Sequence, residues 1–492
     1  MGTSAVKTLL MNKKGITRGV TSDKYEIKSP KPGYAEQDTE DWWKAVCSAV
    51  RWTIKESGVN VGNIVGVCVS GQMHGGVFLG DNLKPLGPAI IWVDTRAKEE
   101  TREVYEKVGR VKLGKICRSP VATGFLAPTL LWLRKYEREM YKKIRTVLLP
   151  KDYIRFRMTG TLATDVSDAS ATGLFDTAGR LWSAEIMDLL ELDRGIFPPC
   201  GESIETGGRI TSDAAKELGL REGTPVVRGG GDTPTAAVGN GIIEPGTLSV
   251  TLGTGGQVIA VISEPIYDEQ LRTHTFCHSV PNQWYTMGAI LAGGMSLSWL
   301  RKLLGERFGF SEFDVLALEI PAGSEGLFFL PYLIGERTPH MDADARGALI
   351  GLTPRHTVGH MARAVMEGVA FALKEAFDIL LSVGIKVEKV VTGGGGGQSH
   401  VWRQILADVL GMELRVLASA ESSVTGSAIL AAVGTGGFDS IAQACRTVIP
   451  AETAFTMPKP ENTEIYRKAY SVYRSLYPAN ESVFHVISSM FD

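Results

Sequence analysis

The sequence predicts an α/β protein made of two closely packed halves. Short apolar runs that end at glycine alternate with amphipathic stretches along 492 residues, the pattern of strands linked by helical crossovers. A Gly-Thr turn followed by an apolar run occurs twice: Gly2-Thr3-Ser4 before residues 6–11, and Gly253-Thr254-Gly255 before residues 258–262. No low-complexity linker separates the copies, so the halves should pack around a cleft. The Glu244-Pro245-Gly246 turn marks the expected boundary, giving units of residues 1–242 and 243–492.

Taken in order, the elements support this reading. Asp38 can cap a helix carrying Trp42, Trp43, Val46, Ala49, Val50 and Ile54, which Gly58 stops. Residues 64–69 form an apolar run ending at Ser70-Gly71 and read as a buried strand. Val226-Val227 leads through Gly229-Gly230-Gly231 to Asp232, so an apolar strand delivers one carboxylate to a tight turn. Residues 247–252 form another strand, ending at Gly253. Val390-Val391 enters a glycine run at 393–397, followed by a helix with Trp402, Ile405, Leu406, Val409 and Leu410 on one face. Gly411 stops that helix, and residues 413–417 read as a further strand. In the second copy of the repeat a full strand precedes the Gly-Thr turn. In the first, Met1 already lies inside the turn, so residues upstream of Met1, including a strand, are expected.

Composition excludes several classes. The net charge is −2 and the pI about 6.5, which gives no electrostatic case for a nucleic-acid partner. No basic amphipathic stretch argues for a membrane surface. Cys47, Cys68, Cys117, Cys200, Cys277 and Cys445 are scattered without a C-x-x-C pair, as expected of free thiols in a reducing, cytoplasmic setting. Residues 280–300 and 422–438 are uncharged or nearly so, but rich in Gly, Ser and Thr, and read as packed interior rather than a membrane span.

The candidate chemistry is phosphoryl transfer to an alcohol. Asp232 can accept a proton from a hydroxyl; it can equally start the helix that Asp-Thr-Pro announces. Gly253-Thr254-Gly255 can present backbone N–H groups to phosphate, or be an ordinary hairpin turn. No G-x-x-x-x-G-K-[S/T] loop is present, and the run at 393–397 lacks dinucleotide spacing. Met73 and His74 follow a strand end, where ligands gather in α/β folds; a lone His is as readily a hydrogen-bonded structural residue. Asp94 and Arg96 either line the same pocket or form a solvated pair. Glu336 and Arg337 read as a buried pair that stabilises a turn, with a direct sugar role as the alternative. The pairs His274/His278 and His356/His360 lack the residues that complete a zinc site.

Several motifs together resemble the FGGY family of carbohydrate kinases over nearly the whole chain. They are Gly2-Thr3-Ser4-Ala5-Val6-Lys7, Pro32-Gly33-Tyr34-Ala35-Glu36-Gln37-Asp38 with Trp42-Trp43, and Gly71-Gln72-Met73-His74-Gly75. Leu149-Pro150-Lys151-Asp152-Tyr153, Thr164-Asp165-Val166-Ser167-Asp168-Ala169, Gly335-Glu336-Arg337-Thr338-Pro339-His340 and residues 347–367 follow. The family's first loop carries an Asp ahead of Gly2 that this chain lacks, and Thr129 stands where Lys is usual. The resemblance implies two ribonuclease-H-like (actin-like) domains flanking a catalytic cleft, with sugar mainly on the N-terminal domain and ATP mainly on the C-terminal one. It implies Asp232 as general base, and Met73, His74 and Asp232 as sugar contacts. Thr3, Ser4, Gly253, Thr254, Gly255, Gly394 and Gly395 are implied as ATP contacts. Mg²⁺ is expected on the ATP phosphates with no dedicated protein site. Met73-His74 is similar to the members that convert D-xylulose to D-xylulose 5-phosphate. Three alternatives stay open: a family member acting on ribulose, gluconate or a polyol; a non-catalytic sugar or nucleotide sensor; and an actin- or chaperone-like ATPase. A homodimer also stays open.

Overall fold

The computed structural model describes residues 1–417, 421–450 and 454–491. The N-terminal half opens on a hairpin, β1 (Ala5–Met11) and β2 (Thr17–Lys24), paired antiparallel from Ala5↔Lys24. It packs on α1 (Thr39–Ser57), where Val6 shares a buried cluster with Trp42, Trp43, Val46 and Ala49. Both ends of α1 fall where the sequence places them. Asp38 accepts a hydrogen bond from the Glu40 N–H, and Gly58 closes the helix in the left-handed conformation.

Residues 64–69 depart from the expected strand. Only Val67 forms a bridge, parallel to Val226, and the ladder resumes at β3 (Ser70–Gly71). Val65 is 68% exposed. The physical reason is one-sided pairing. One edge meets β4 (Pro225–Val227), whereas the other faces a groove of about 380 Å³ lined by Val6, Leu10, Val46 and Ala431. At the end of this groove the Met1 amino group donates to the Ser70 carbonyl (2.6 Å), and the Gln72 N–H donates to the Met1 carbonyl (2.9 Å).

Further along lie α2 (Leu126–Tyr136) and α3 (Pro150–Thr159). Beyond β4, β5 (Gly230–Gly231) pairs parallel with β3 and runs directly into α4 (Asp232–Gly239).

The C-terminal half is organised by a seven-stranded sheet. Its first strands are β6 (Thr247–Leu252), β7 (Gly256–Ile262), β8 (His274–Cys277) and β9 (Trp284–Ile290). Helix α5 (Gly294–Leu303) and the 25-residue α6 (Val358–Ser382) follow. Then come β10 (Lys389–Gly393), the short α7 (Gly394–Gln398), α8 (His400–Leu410), β11 (Leu414–Val416), α9 (Ser422–Gly434), β12 (Phe455–Thr456) and α10 (Pro460–Phe491). The spatial order is β8-β9-β7-β6-β10-β11-β12. β6 and β10 are parallel, as the strand–helix alternation requires, and β6, β7, β9 and β8 run antiparallel to one another in that order.

Both faces of this sheet are covered, so β6 is largely buried although its apolar residues alternate with Thr247, Ser249 and Thr251. Leu248, Val250 and Leu252 pack with Val365, Val369 and Leu373 of α6. Val261 and Val391 meet Ala237 of α4 on the other face. α8 buries Trp402, Ile405, Leu406, Val409 and Leu410 and ends at Gly411 in the left-handed conformation, as its spacing predicts. All six cysteines are free. Among the described residues no helix is long and apolar enough to cross a membrane.

Candidate active site

The turn from β4 into α4 admits only glycine at its start. Gly229 has φ of +78°, and a Cβ there would sit 1.9 Å from the Val69 carbonyl oxygen. A Cβ on Gly231 would lie 2.8 Å from the Met73 sulfur, so the turn sets Asp232 beside Met73. Asp232 is the first residue of α4, and its Oδ1 accepts from the Thr233 N–H (2.8 Å). The carboxylate thus helps to start the helix and remains half-buried at the site. Among the described residues no side-chain cation pairs with it, and burial pushes its pKa up.

Beneath the turn lies a buried polar platform that sequence reasoning did not assign. Ser167 Oγ accepts from the Gly231 N–H (3.1 Å) and donates to Asp165 (2.6 Å), which also takes Ser203 Oγ (2.7 Å). Lys151, fully buried, reaches Asp152 (2.6 Å), Asp165 (2.9 Å) and Asp168 (3.6 Å). Burial drives Asp168 well above the usual carboxylate range, against the pull of Lys151. The motifs around Lys151 and Asp165 carried a family likeness but no role. What reveals the role is their meeting across the fold under Gly231.

Met73 and His74 form a wall with α2 and the loop ahead of it. His74, with φ of +74°, stacks on Phe125 at 4.1 Å between ring centres. Its Nδ1 donates to the Ala171 carbonyl (2.6 Å), and burial lowers its pKa to about 4. The ring is therefore neutral near pH 7, with Nε2 an acceptor. Opposite stand His274 and Phe276 of β8, with Tyr285 of β9 reaching the Met73 sulfur at 4.0 Å. His274 and His278 lie at either end of a strand and are not a metal pair.

The candidate phosphate contacts assemble from three glycine segments. Gly253-Thr254-Gly255 joins β6 to β7, with Thr254 exposed. The Gly294 N–H donates to the Gly253 carbonyl (2.8 Å), and the Met295 N–H to the Thr254 carbonyl (3.0 Å). Gly394, with φ of +78°, lies so close that a Cβ would sit 2.4 Å from the Leu252 oxygen. Gly395 next to it opens onto free space. Thr3 and Ser4 lie on the other half, next to Met1, whose ammonium is within electrostatic reach of Asp232. Thr3 Oγ accepts from the Trp92 indole (3.0 Å).

Two expectations are corrected. Asp94 and Arg96 neither line the pocket nor lie in solvent. Arg96 bridges Asp94 (2.8 Å) and Glu36 (2.7 Å) beneath the Tyr34 ring, a buried structural ion pair. Glu336 and Arg337 do not pair. Glu336 Oε1 accepts from the backbone N–H groups of Arg337 (2.7 Å) and Leu291 (3.0 Å), so it braces the turn by itself. Thr129 is buried in α2 and donates to the Phe125 carbonyl (2.8 Å). Asp342, Asp344 and His485 cluster away from these elements, and Tyr477 and Ser488 hydrogen-bond the two carboxylates, tying α10 to its loop.

A half-buried carboxylate beside an apolar and histidine-lined wall, with glycine turns at the ends of central strands, is a candidate site for phosphoryl transfer. Residues 1–239 match the N-terminal domain, and residues 248–435 the C-terminal domain, of the FGGY family of carbohydrate kinases. The chain belongs to that family, and its fold is the two-domain actin-like type. It is 37% identical over 477 residues to a xylulose kinase of Bacillus subtilis, covering 97% of this chain and 95% of that protein. Among solved structures it resembles a "xyloylose kinase" from Brucella ovis (TM-score 0.93, 32% identity, 98% of each chain). It also resembles a gluconate kinase from Lactobacillus acidophilus (TM-score 0.93, 26% identity, 99% of this chain and 98% of that one).

Proposed function

We propose that this carbohydrate kinase phosphorylates D-xylulose to D-xylulose 5-phosphate, with Asp232 as general base. The observation that carries the mechanism is the Asp232 carboxylate, held beside Met73 by a glycine-only turn and left without a side-chain cation. The substrate reading draws on the xylulose kinases to which the chain is similar and on the Met73-His74 wall. The sugar hydroxyl attacks the γ-phosphorus of ATP and its proton passes to Asp232. The new O–P bond forms as the bond to the β-phosphate oxygen breaks, and ADP leaves. Residues 1–242 hold the sugar, and residues 243–492 hold ATP through Gly253, Thr254, Gly255, Gly394 and Gly395, with Thr3 and Ser4 facing them.

Mg²⁺ would be held by the ATP phosphates and water with no dedicated protein site, and would neutralise phosphate charge there, leaving Asp232 free as the base. A coupled ADP-release assay against D-xylulose, L-xylulose, D-ribulose, gluconate, glycerol and no sugar tests the reading. Release dependent on D-xylulose supports it. Release that needs no sugar would point to an ATPase, and preference for another acceptor would replace the substrate.

A further inference from the structure

The side of the pocket opposite Met73 and His74 belongs to the sheet, and its faces can be assigned from register. Tyr285, Met287 and Ala289 of β9, with Phe276 of β8, share a cluster with Met73 and Phe125. Ile290 packs instead into the core around α6. His274 lies directly opposite Met287, so its side chain shares the Met73 face. Ahead of β8, residues 337–338 take the place beside Ala289. The Thr338 N–H donates to the Ala289 carbonyl (3.0 Å), and Thr338 Oγ accepts from the Ala289 N–H (3.2 Å). The Thr338 side chain packs toward the α6 face, since a Cβ on Gly288 would meet both Thr338 and Ala376. Arg337 precedes Thr338 in this turn, at the place beside Ala289, whose side chain lies on the Met73 face. Consistent with this, its charge is felt by both His74 and His274.

Among the described residues the Arg337 guanidinium takes part in no hydrogen bond or ion pair, although the Glu336 carboxyl lies within electrostatic reach. The adjoining Glu336 is occupied by two backbone N–H groups, and burial raises its pKa to about 8. The two histidines complement this cation. The Ser119 hydroxyl spends its one proton on the Pro120 carbonyl (2.9 Å), so its bond to His274 Nδ1 (2.7 Å) must be donated by the ring. Burial holds that ring neutral, with its pKa lowered to about 3. Nε2 is thus an acceptor on His274 as it is on His74, and neither has a protein partner among the described residues.

We propose that Arg337 is a specificity-determining contact for the acceptor sugar, donating to its carbonyl or a hydroxyl oxygen while Nε2 of His74 and of His274 each accept a hydroxyl proton. The inference rests on the sugar site described under Proposed function. The set fits a neutral polyhydroxy ketone, which offers both acceptors and protons.

The test uses the full chain with Mg-ATP and the sugar that gives the highest ADP release. Arg337→Gln should raise KM for that sugar by about ten-fold or more, as expected for losing a charge-assisted hydrogen bond. kcat should fall by a smaller factor, KM for ATP should stay unchanged, and Arg337→Lys should recover part of the loss. If Arg337→Gln fails to fold, Arg337→Lys carries the comparison, with a smaller expected rise in KM for the sugar alone. An unchanged sugar KM, or an equal rise in KM for ATP, overturns the inference. Asp232→Asn in the same assay separates the two readings. If it is silent while Arg337→Gln keeps the wild-type sugar KM, only the Arg337 inference falls. If it turns over normally, or no sugar supports release, the underlying site reading falls with it.

Discussion

Replacing Asp232 with Asn changes one charge and almost no volume. The amide oxygen can still accept from the Thr233 N–H, the bond that Oδ1 makes at 2.8 Å, so the start of α4 should survive. The base does not survive, because a neutral amide cannot take the hydroxyl proton. Loss of general-base catalysis removes about 10²–10⁴-fold in rate, or roughly 3–5 kcal/mol of transition-state stabilisation at 1.36 kcal/mol per decade. Stability should move the other way. Burial raises the Asp232 pKa above its unfolded value, so the native state binds more protons than the unfolded chain between those two pKa values. Stability therefore falls as pH rises through that window, and the cost is fully present above the folded-state pKa. Asp232→Asn removes it, so the melting temperature at pH 7 should hold or rise while kcat collapses. Coupled ADP release and a thermal melt on the same preparation read both quantities. Turnover above a tenth of wild type, or a melting point several degrees lower, would refute the argument; the second result would mean that Asp232 is chiefly a helix-starting residue.

Three further outcomes follow from the geometry. The acid limb of kcat/KM should lie above the ordinary carboxylate range, because Asp232 must be ionised to act and burial raises its pKa; a pH–rate profile checks this. Gly394→Ala places a Cβ 2.4 Å from the Leu252 oxygen at a φ of +78°, so KM for ATP should rise, with KM for the sugar little changed in steady-state kinetics. Lys151→Met strips the only lysine from a platform of three buried carboxylates and should cost about 3–5 kcal/mol in urea unfolding, whereas a loss below 1 kcal/mol would mean that the platform is already neutral.

Much of the fold was legible because its signals are local. Asp38 and Gly58 bound α1, Gly411 ends α8, and the repeated Gly-Thr turn marks two related hairpins. Residues 64–69 misled because an apolar run reports burial, whereas a strand needs partners on its edges, and those lie 150 residues or more away or across a groove. The site divided the same way. Spacing singled out Asp232 and the glycine turns as candidates but left a helix start and an ordinary hairpin turn open; the family resemblance chose between them. The platform under Gly231 joins Lys151, Asp165 and Ser167 from separate elements, and no periodicity links them. Arg337 was read as half of a pair because its sequence neighbour is acidic. The fold instead gives that carboxylate to backbone N–H groups, which only the turn beside β9 reveals.

Strand β9 touches both ends of the chemistry. Near Ile290, whose carbonyl oxygen would lie 2.8 Å from a Cβ on Gly255, it braces the turn proposed to hold the phosphate donor. At Tyr285, Met287 and Ala289 it faces the wall built on Met73. A single rigid element therefore sets the spacing between donor and acceptor, while the side chains that meet the acceptor sit only at alternate positions. New acceptors could be explored by substitution at those positions, leaving the donor turn in place. Such a division offers a physical route by which one scaffold can serve kinases for chemically different sugars.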